Sequence, residues 1–267
     1  MNSMPGKWLA VTAGVGGRNF EEAALRVRDS LEATGIVDKV IAVTTRDLPS
    51  VCPKTSDLYK NLMNTSTRGF GFMSWKAEVV NSAFQGMWGQ FDGVVWIDAG
   101  CEVTINPASR VKFKKFKNFA IKHGVAAFTL DTLEIEYTKR DIFEIFPEIH
   151  PKDAGKQIQT TWFFLHGDLG RKIAQQWLDT VLIGTHLLDL NPSANSEFKE
   201  FVENRYDQST FSLVCKQNEV RIMRYRPTAG SGSVFSGLRG VLNPIWTARN
   251  RQGKSTKNRF IQILERF

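Results

Sequence analysis

Residues Val94, Val95, Trp96 and Ile97 form an apolar run without alternation, and the run stops at Asp98-Ala99-Gly100. A strand with one wet face alternates apolar and polar positions, whereas an unbroken run is buried on both faces. Gly93–Ile97 therefore reads as a parallel strand covered by helices above and below. The start of the chain agrees. Lys7–Ala13 reads as a strand, and Gly14–Gly17 as a turn of small residues. Phe20, Ala24, Val27 and Leu31 mark the apolar stripe of a helix. Asn19 would begin it, with Glu22 at capping-box spacing, and Gly35 would end it. Lys39–Thr44 follows as a second strand. A strand–helix–strand opening implies parallel pairing.

Further along, 46–68 reads as irregular and polar. Helices are predicted over Trp75–Trp88, Pro107–Lys122 and Thr138–Phe146, and strands over Val125–Thr129 and Thr160–Leu165. Leu169, Ile173, Trp177 and Val181 repeat every four residues in a helix that Asp168 would cap. Ser196–Val202 and Asp207–Cys215 read as two more helices, and Val220–Met223 as a last strand. Gly230–Gly232 opens a Gly/Ser-rich break. The fold class expected from this alternation is α/β, a layered fold with a largely parallel sheet.

A chain of 267 residues with 42% hydrophobic content can bury one large core. Three cysteines at wide spacing, with no CxxC pair, suggest neither a disulfide framework nor a zinc knuckle, and a reducing, cytoplasmic setting is expected. No apolar run is long enough for a signal sequence or a membrane span. The net charge of +8 is localised: the nine Lys and Arg from Arg224 onward face only Glu265, so that tail carries all of it. A balanced body with one basic tail argues against a general nucleic-acid binder. The aromatic and aliphatic residues among those charges, such as Phe235, Trp246 and Phe260, allow peripheral contact with an anionic membrane surface, or simple packing on the domain.

Four stretches carry candidate chemistry. Asp98 ends its strand on the side where open α/β sheets bind ligands. Ala99 and Gly100 leave room beside it, although a strand-terminal Asp also caps turns. Gly14, Gly16 and Gly17 could turn backbone amides toward a phosphate, or form an ordinary strand-to-helix turn. In Arg68–Lys76, "RGFGFMSWK", Trp75 can stack on a ring and Arg68 and Lys76 can neutralise phosphate, while Phe70 and Phe72 read as core. In Glu203–Leu213, Asp207 either caps a helix or serves as a base, and the Asp207–Gln208 pair can bind sugar hydroxyls.

Taken in order, "GFGFMSWKA", "WIDAGCEV", "YTKRDIF", "QIQTTWFFLHGD" and "NRYDQSTFSLVCK" resemble the motifs of a GT-A-type nucleotide-sugar-dependent glycosyltransferase, of the bacterial and viral kind with DAGC and RxDQS motifs. The resemblance runs from Lys7 to Met223. It implies a GT-A-like catalytic domain over 1–225, with a Rossmann-type, mostly parallel sheet flanked by helices, and a basic extension over 226–267 that packs on the domain or contacts a membrane surface. It further implies a nucleoside diphosphate sugar as donor and a hydroxyl acceptor, glycan or lipid-linked, in glycan or polysaccharide synthesis. Asp98 stands where the family's DxD-like motif begins, and would contact the donor ribose or hold a manganese or magnesium ion on the diphosphate. Gly100 takes the place of the second Asp, Ala77 that of a proline and Asn204 that of a histidine. Glu102 is the residue that could compensate as a metal ligand. The implied donor site comprises Thr12, Arg68, Trp75, Lys76, Asp98, Ala99, Gly100, Gln159 and Gln208. Lys139 and Arg140 could add positive charge against the leaving diphosphate or equally form a solvated helix face, and His166, at a strand end, could approach the site. Asp207 is the candidate catalytic base. Two other classes fit parts of the pattern: a nucleotidyltransferase, and a non-enzymatic module that binds carbohydrate or an anionic membrane surface.

Overall fold

The computed structural model describes residues 6–104, 106–223 and 243–247. The chain opens with β1 (Trp8–Gly14), α1 (Arg18–Glu32) and β2 (Lys39–Thr44). A 3-10 turn at Thr45–Asp47 leads into α2 (Leu48–Val51), α3 (Pro53–Leu58), the distorted turn α4 (Gly69–Phe72) and α5 (Trp75–Phe84). Next come β3 (Gly93–Ile97), β4 (Cys101–Val103), α6 (Pro107–His123), β5 (Val125–Ala126) and β6 (Thr129–Leu133). The elements α7 (Glu134–Tyr137), α8 (Arg140–Ile145), β7 (Lys156–Ile158), β8 (Trp162–His166) and α9 (Gly167–Leu182) follow. The last described elements are α10 (Asp207–Gln217) and β9 (Ile245–Thr247).

The central sheet has the order β2-β1-β3-β8-β5. β1 pairs in parallel with both β2 and β3, while β8 runs antiparallel to both β3 and β5. Four strands thus share one direction, which is the α/β, mostly parallel arrangement expected. Along β3 the side chains alternate between two cores. Val94 and Trp96 pack with residues of α5, α9 and α10, whereas Val95 and Ile97 pack with residues of α1 and α6. Both environments are apolar, so the strand shows no polar alternation.

Several local expectations are corrected. α1 is preceded by Gly17, whose carbonyl accepts from the amides of Phe20 and Glu21, so Asn19 lies inside the helix rather than capping it. Residues 46–68 contain α2 and α3, too short to show a helical period and each with a proline in its first two positions. α5 ends at Phe84, four residues early, before Gly86 at φ 86°. The strand expected over Val125–Thr129 divides into β5 and the start of β6. Asp168 sits in the first turn of α9 and not at its cap, which is His166. Ser196–Val202 is not helical: Glu197 accepts from the Ser193 and Arg140 backbone amides instead, and Val202 bonds to the Glu136 carbonyl. Val220–Met223 joins no strand ladder, although the Met223 amide reaches the Ala127 carbonyl at 3.1 Å.

The basic extension lies largely outside the described residues, as does its expected membrane contact. Its described part, β9, pairs antiparallel with β4. Among the described residues no helix is long and apolar enough to cross a membrane.

Candidate functional site

Because side chains alternate along a strand, Asp98 falls on the same side of β3 as Val94 and Trp96, the side covered by α5 and α10. Those two helices supply its neighbours. The Lys76 ammonium, from the first turn of α5, lies 2.8 Å from Asp98 Oδ1 and 3.1 Å from Asp207 Oδ2, at the first position of α10. The Trp96 indole Nε1 donates to the same Asp98 oxygen at 2.7 Å, and its ring lies 5.0 Å from the ammonium. Thr160 Oγ1 donates to Asp207 Oδ2 at 3.0 Å. Three segments far apart in sequence therefore meet on one ammonium.

Exposure separates the three charges. The Asp98 side chain is 33% exposed, that of Lys76 1% and that of Asp207 5%. Burial pushes the Asp207 carboxyl above the ordinary carboxylate range, outweighing the pull of Lys76. For Lys76, burial pulls the ammonium down, but Asp207 and Asp98 together outweigh it and hold it above the usual lysine value. The open end of the cluster is thus a carboxylate with one oxygen committed.

The turn after β3 is fixed from the other face of the sheet. Arg26, on the buried side of α1, donates to the Ala99 and Cys101 carbonyls at 2.9 and 3.0 Å and pairs with Glu102 at 3.1 Å. Glu102 therefore faces Arg26 and does not stand in as a ligand beside Asp98. The Asp98 amide also donates to the Thr161 carbonyl at 2.8 Å. This contact follows from the direction of β8. Since Gly93 pairs with His166 and Ile97 with Trp162, the start of β8 lies beside the end of β3. His166, stacked on Trp8, is at the opposite end of the sheet and does not approach the site.

Several other candidates take structural partners. Gln208 donates to Gln157 at 2.5 Å. Trp75 packs against Trp96 and bonds the Gly69 carbonyl through Nε1. Arg68 is exposed, 5.2 Å over the ring of Tyr206, the residue before Asp207. Thr12 and Gln159 are buried next to this region in sequence and sheet, and among the described residues Thr12 Oγ1 and Gln159 Nε2 have no hydrogen-bond partner. Gly100 is half-buried in the turn. Lys139 is tied to the His186 carbonyl and Asp189, and the Arg140 guanidinium lies over Phe198, so both belong to the 185–198 segment. In the glycine turn, the Gly16 amide already donates to Thr45 Oγ1, and the Phe70 ring would lie 2.8 Å from a Cβ at Gly16, whose φ is 86°. That turn is packed and does not present a free phosphate cradle at Gly16.

Sequence reasoning missed Trp96, Thr160 and Arg26. Trp96 was detectable by strand parity, two residues before Asp98. Arg26 sits beside the apolar stripe of α1, a placement that calls for a buried partner. Thr160 carried no signal, because its position depends on the direction of β8.

The donor set does not fit a resident divalent cation. Asp98 Oδ1 and Asp207 Oδ2 converge on Lys76, Glu102 is engaged by Arg26, and among the described residues no three His, Cys, Asp or Glu side chains gather as metal ligands.

No protein-family model matches the sequence, and a search of curated proteins finds no match. Solved structures give weak likenesses. Mouse xyloside xylosyltransferase 1, in its apo form, is 12% identical with a TM-score of 0.46, over 90% of this chain and 97% of that one. A glycosyltransferase involved in the glycosylation of the major capsid of PBCV-1 is 12% identical with a TM-score of 0.44, over 98% and 100%. The 4-diphosphocytidyl-2C-methyl-D-erythritol synthase of Anaerococcus prevotii is 13% identical with a TM-score of 0.35, over 80% and 95%. These identities and scores are too low to transfer a substrate or a residue role.

Proposed function

We propose that this chain is a glycosyltransferase, moving a sugar from a nucleoside diphosphate donor to a hydroxyl acceptor. One observation carries the proposal: the motifs around Lys76, Asp98 and Asp207 converge at the carboxyl end of a mostly parallel sheet, where such sheets bind ligands. Asp98 is the group that meets the donor. Its Oδ1 is held by Lys76 and Trp96, and its partly exposed carboxylate accepts a hydrogen bond from a hydroxyl of the donor ribose in this reading. Arg68, exposed beside Tyr206, is the cation available to the leaving diphosphate. Asp207 is the candidate base, since a raised proton affinity suits proton abstraction from an acceptor hydroxyl. The engaged Gly16 amide speaks against the nucleotidyltransferase alternative, which needs a phosphate loop after β1.

The test is calorimetric titration of UDP, GDP and CDP into wild type and Asp98→Asn. Base-selective binding, weakened at least about tenfold in the variant, is the expected result. A folded wild-type protein that binds none of the three removes the donor site.

A further inference from the structure

We infer that Lys76 is the resident cation of this site, standing where a divalent ion would otherwise bridge Asp98 and Asp207. The ligand side of this inference rests on the donor reading above; its metal side does not. Two carboxylates that face a common point form the simplest seat for a divalent cation. Here that point holds an ammonium, 2.8 Å from one carboxylate and 3.1 Å from the other. The ammonium is built in. Its stem is buried in α5, its head lies over the Trp96 ring, and its side chain is 1% exposed. Each carboxylate oxygen facing it also accepts a hydrogen bond, from Trp96 Nε1 on Asp98 and from Thr160 Oγ1 on Asp207. A metal at Asp98 Oδ1 would have to displace both the indole and the ammonium, or sit against a like charge in a poorly solvated place. Lys76 is thus a positioning residue, which neutralises and orients Asp98 in a way that needs no metal.

Two consequences separate this role from a merely structural one. Wild-type protein should bind a nucleoside diphosphate with an affinity that changes less than about threefold between EDTA and manganese. Removing the ammonium should create a metal site. Lys76→Ala leaves two carboxylates facing an emptied volume, and should bind Mn2+ at least about tenfold more tightly than wild type, as read by the electron paramagnetic resonance of free Mn2+. Lys76→Arg keeps the charge and should show no such gain.

A tenfold manganese-dependent gain in wild-type nucleotide affinity would overturn the inference. So would Mn2+ binding by wild type that is lost in Asp98→Asn, or a folded Lys76→Ala without the gain. If Lys76→Ala does not fold, the two wild-type measurements decide. If no nucleotide binds wild type at all, the donor reading fails by itself and the Mn2+ arm still decides the role of Lys76.

Discussion

At the scale of single residues, the question is which effect sets the charge of a buried carboxyl. Asp207 has an ammonium at 3.1 Å, which favours ionisation, and an almost fully buried side chain, which opposes it. Burial wins, and the folded-state proton affinity is raised above the ordinary value of 3.8. Above pH 3.8 the folded chain therefore keeps a proton that the unfolded chain has released. Stability from this group is present below that pH and is lost as pH rises through the folded value. Asn at this position cannot titrate. Urea midpoints measured from about pH 4 to pH 7 should show wild type losing stability relative to Asp207→Asn as pH rises. A difference that grows in the other direction would mean that Lys76, not burial, dominates. Arg26 raises the complementary case of a buried pair. Arg26→Met leaves Glu102, 1% exposed, without its guanidinium and frees the Ala99 and Cys101 carbonyls. The expected loss is about 3–5 kcal/mol in urea unfolding, with much of it recovered in Arg26→Met/Glu102→Leu.

At the scale of elements, the turn before α5 has an unusual backbone. Gly69, Phe70, Gly71, Phe72 and Met73 all have positive φ, from 53° to 89°, and the Phe72 and Met73 amides bond back to the Arg68 and Gly69 carbonyls. This is a left-handed helical turn, which costs about 1–2 kcal/mol at each non-glycine position. Contacts around the turn offset that cost: Phe72 stacks on Tyr206 at 5.2 Å, and Trp75 Nε1 holds the Gly69 carbonyl. The turn thereby sets the entry of α5 and with it the place of Lys76. Gly71 is at φ 89°, and a Cβ there would lie 3.0 Å from Met63 Cγ. Gly71→Ala should destabilise the protein by about 1–2 kcal/mol in thermal or urea unfolding. The glycines of "RGFGFMSWK" were visible in the sequence, but left-handed phenylalanines were not, because no propensity favours them. Long helices with a clear period, such as α1 and α9, were legible from spacing alone, and β3 from its unbroken apolar run. Ser196–Val202 was not legible, because Glu197 accepts hydrogen bonds from Arg140 and Ser193 rather than solvating a helix face.

For the whole molecule, legibility ends where strand order and direction take over. Spacing placed Asp98 at a strand end and Asp207 at a helix start, but their meeting requires β8 to run against β3 and α10 to cover the Trp96 face. Composition divides the chain near residue 225, and the extension beyond it was expected to pack on the domain or contact a membrane surface; of that extension, residues 243–247 pack on the domain. Val103 pairs with Ile245, the Thr104 amide bonds the Pro244 carbonyl at 2.9 Å, and Lys112 of α6 reaches Asn243. Ile245 is fully buried in the core that also holds Trp8, Val95, Ile97 and Phe113. This pairing covers an edge of β4, the strand that leaves the Asp98 turn and carries Glu102 to Arg26. Residues 243–247 therefore brace the strand that leads out of the Asp98 turn. Ile245→Ala should cost about 2–5 kcal/mol by the loss of buried apolar contact and the cavity left behind. A chain ended at residue 225 should lose at least as much, since it also uncovers the β4 edge. Urea unfolding of the full chain, the substitution and the truncation measures both. If the truncated chain unfolds at the same urea concentration as the full one, β9 contributes nothing and the compositional boundary is also the structural one. If the expected loss is found, nucleotide titration of Ile245→Ala then tests whether the support reaches Asp98, and weaker binding by a folded protein is the predicted outcome.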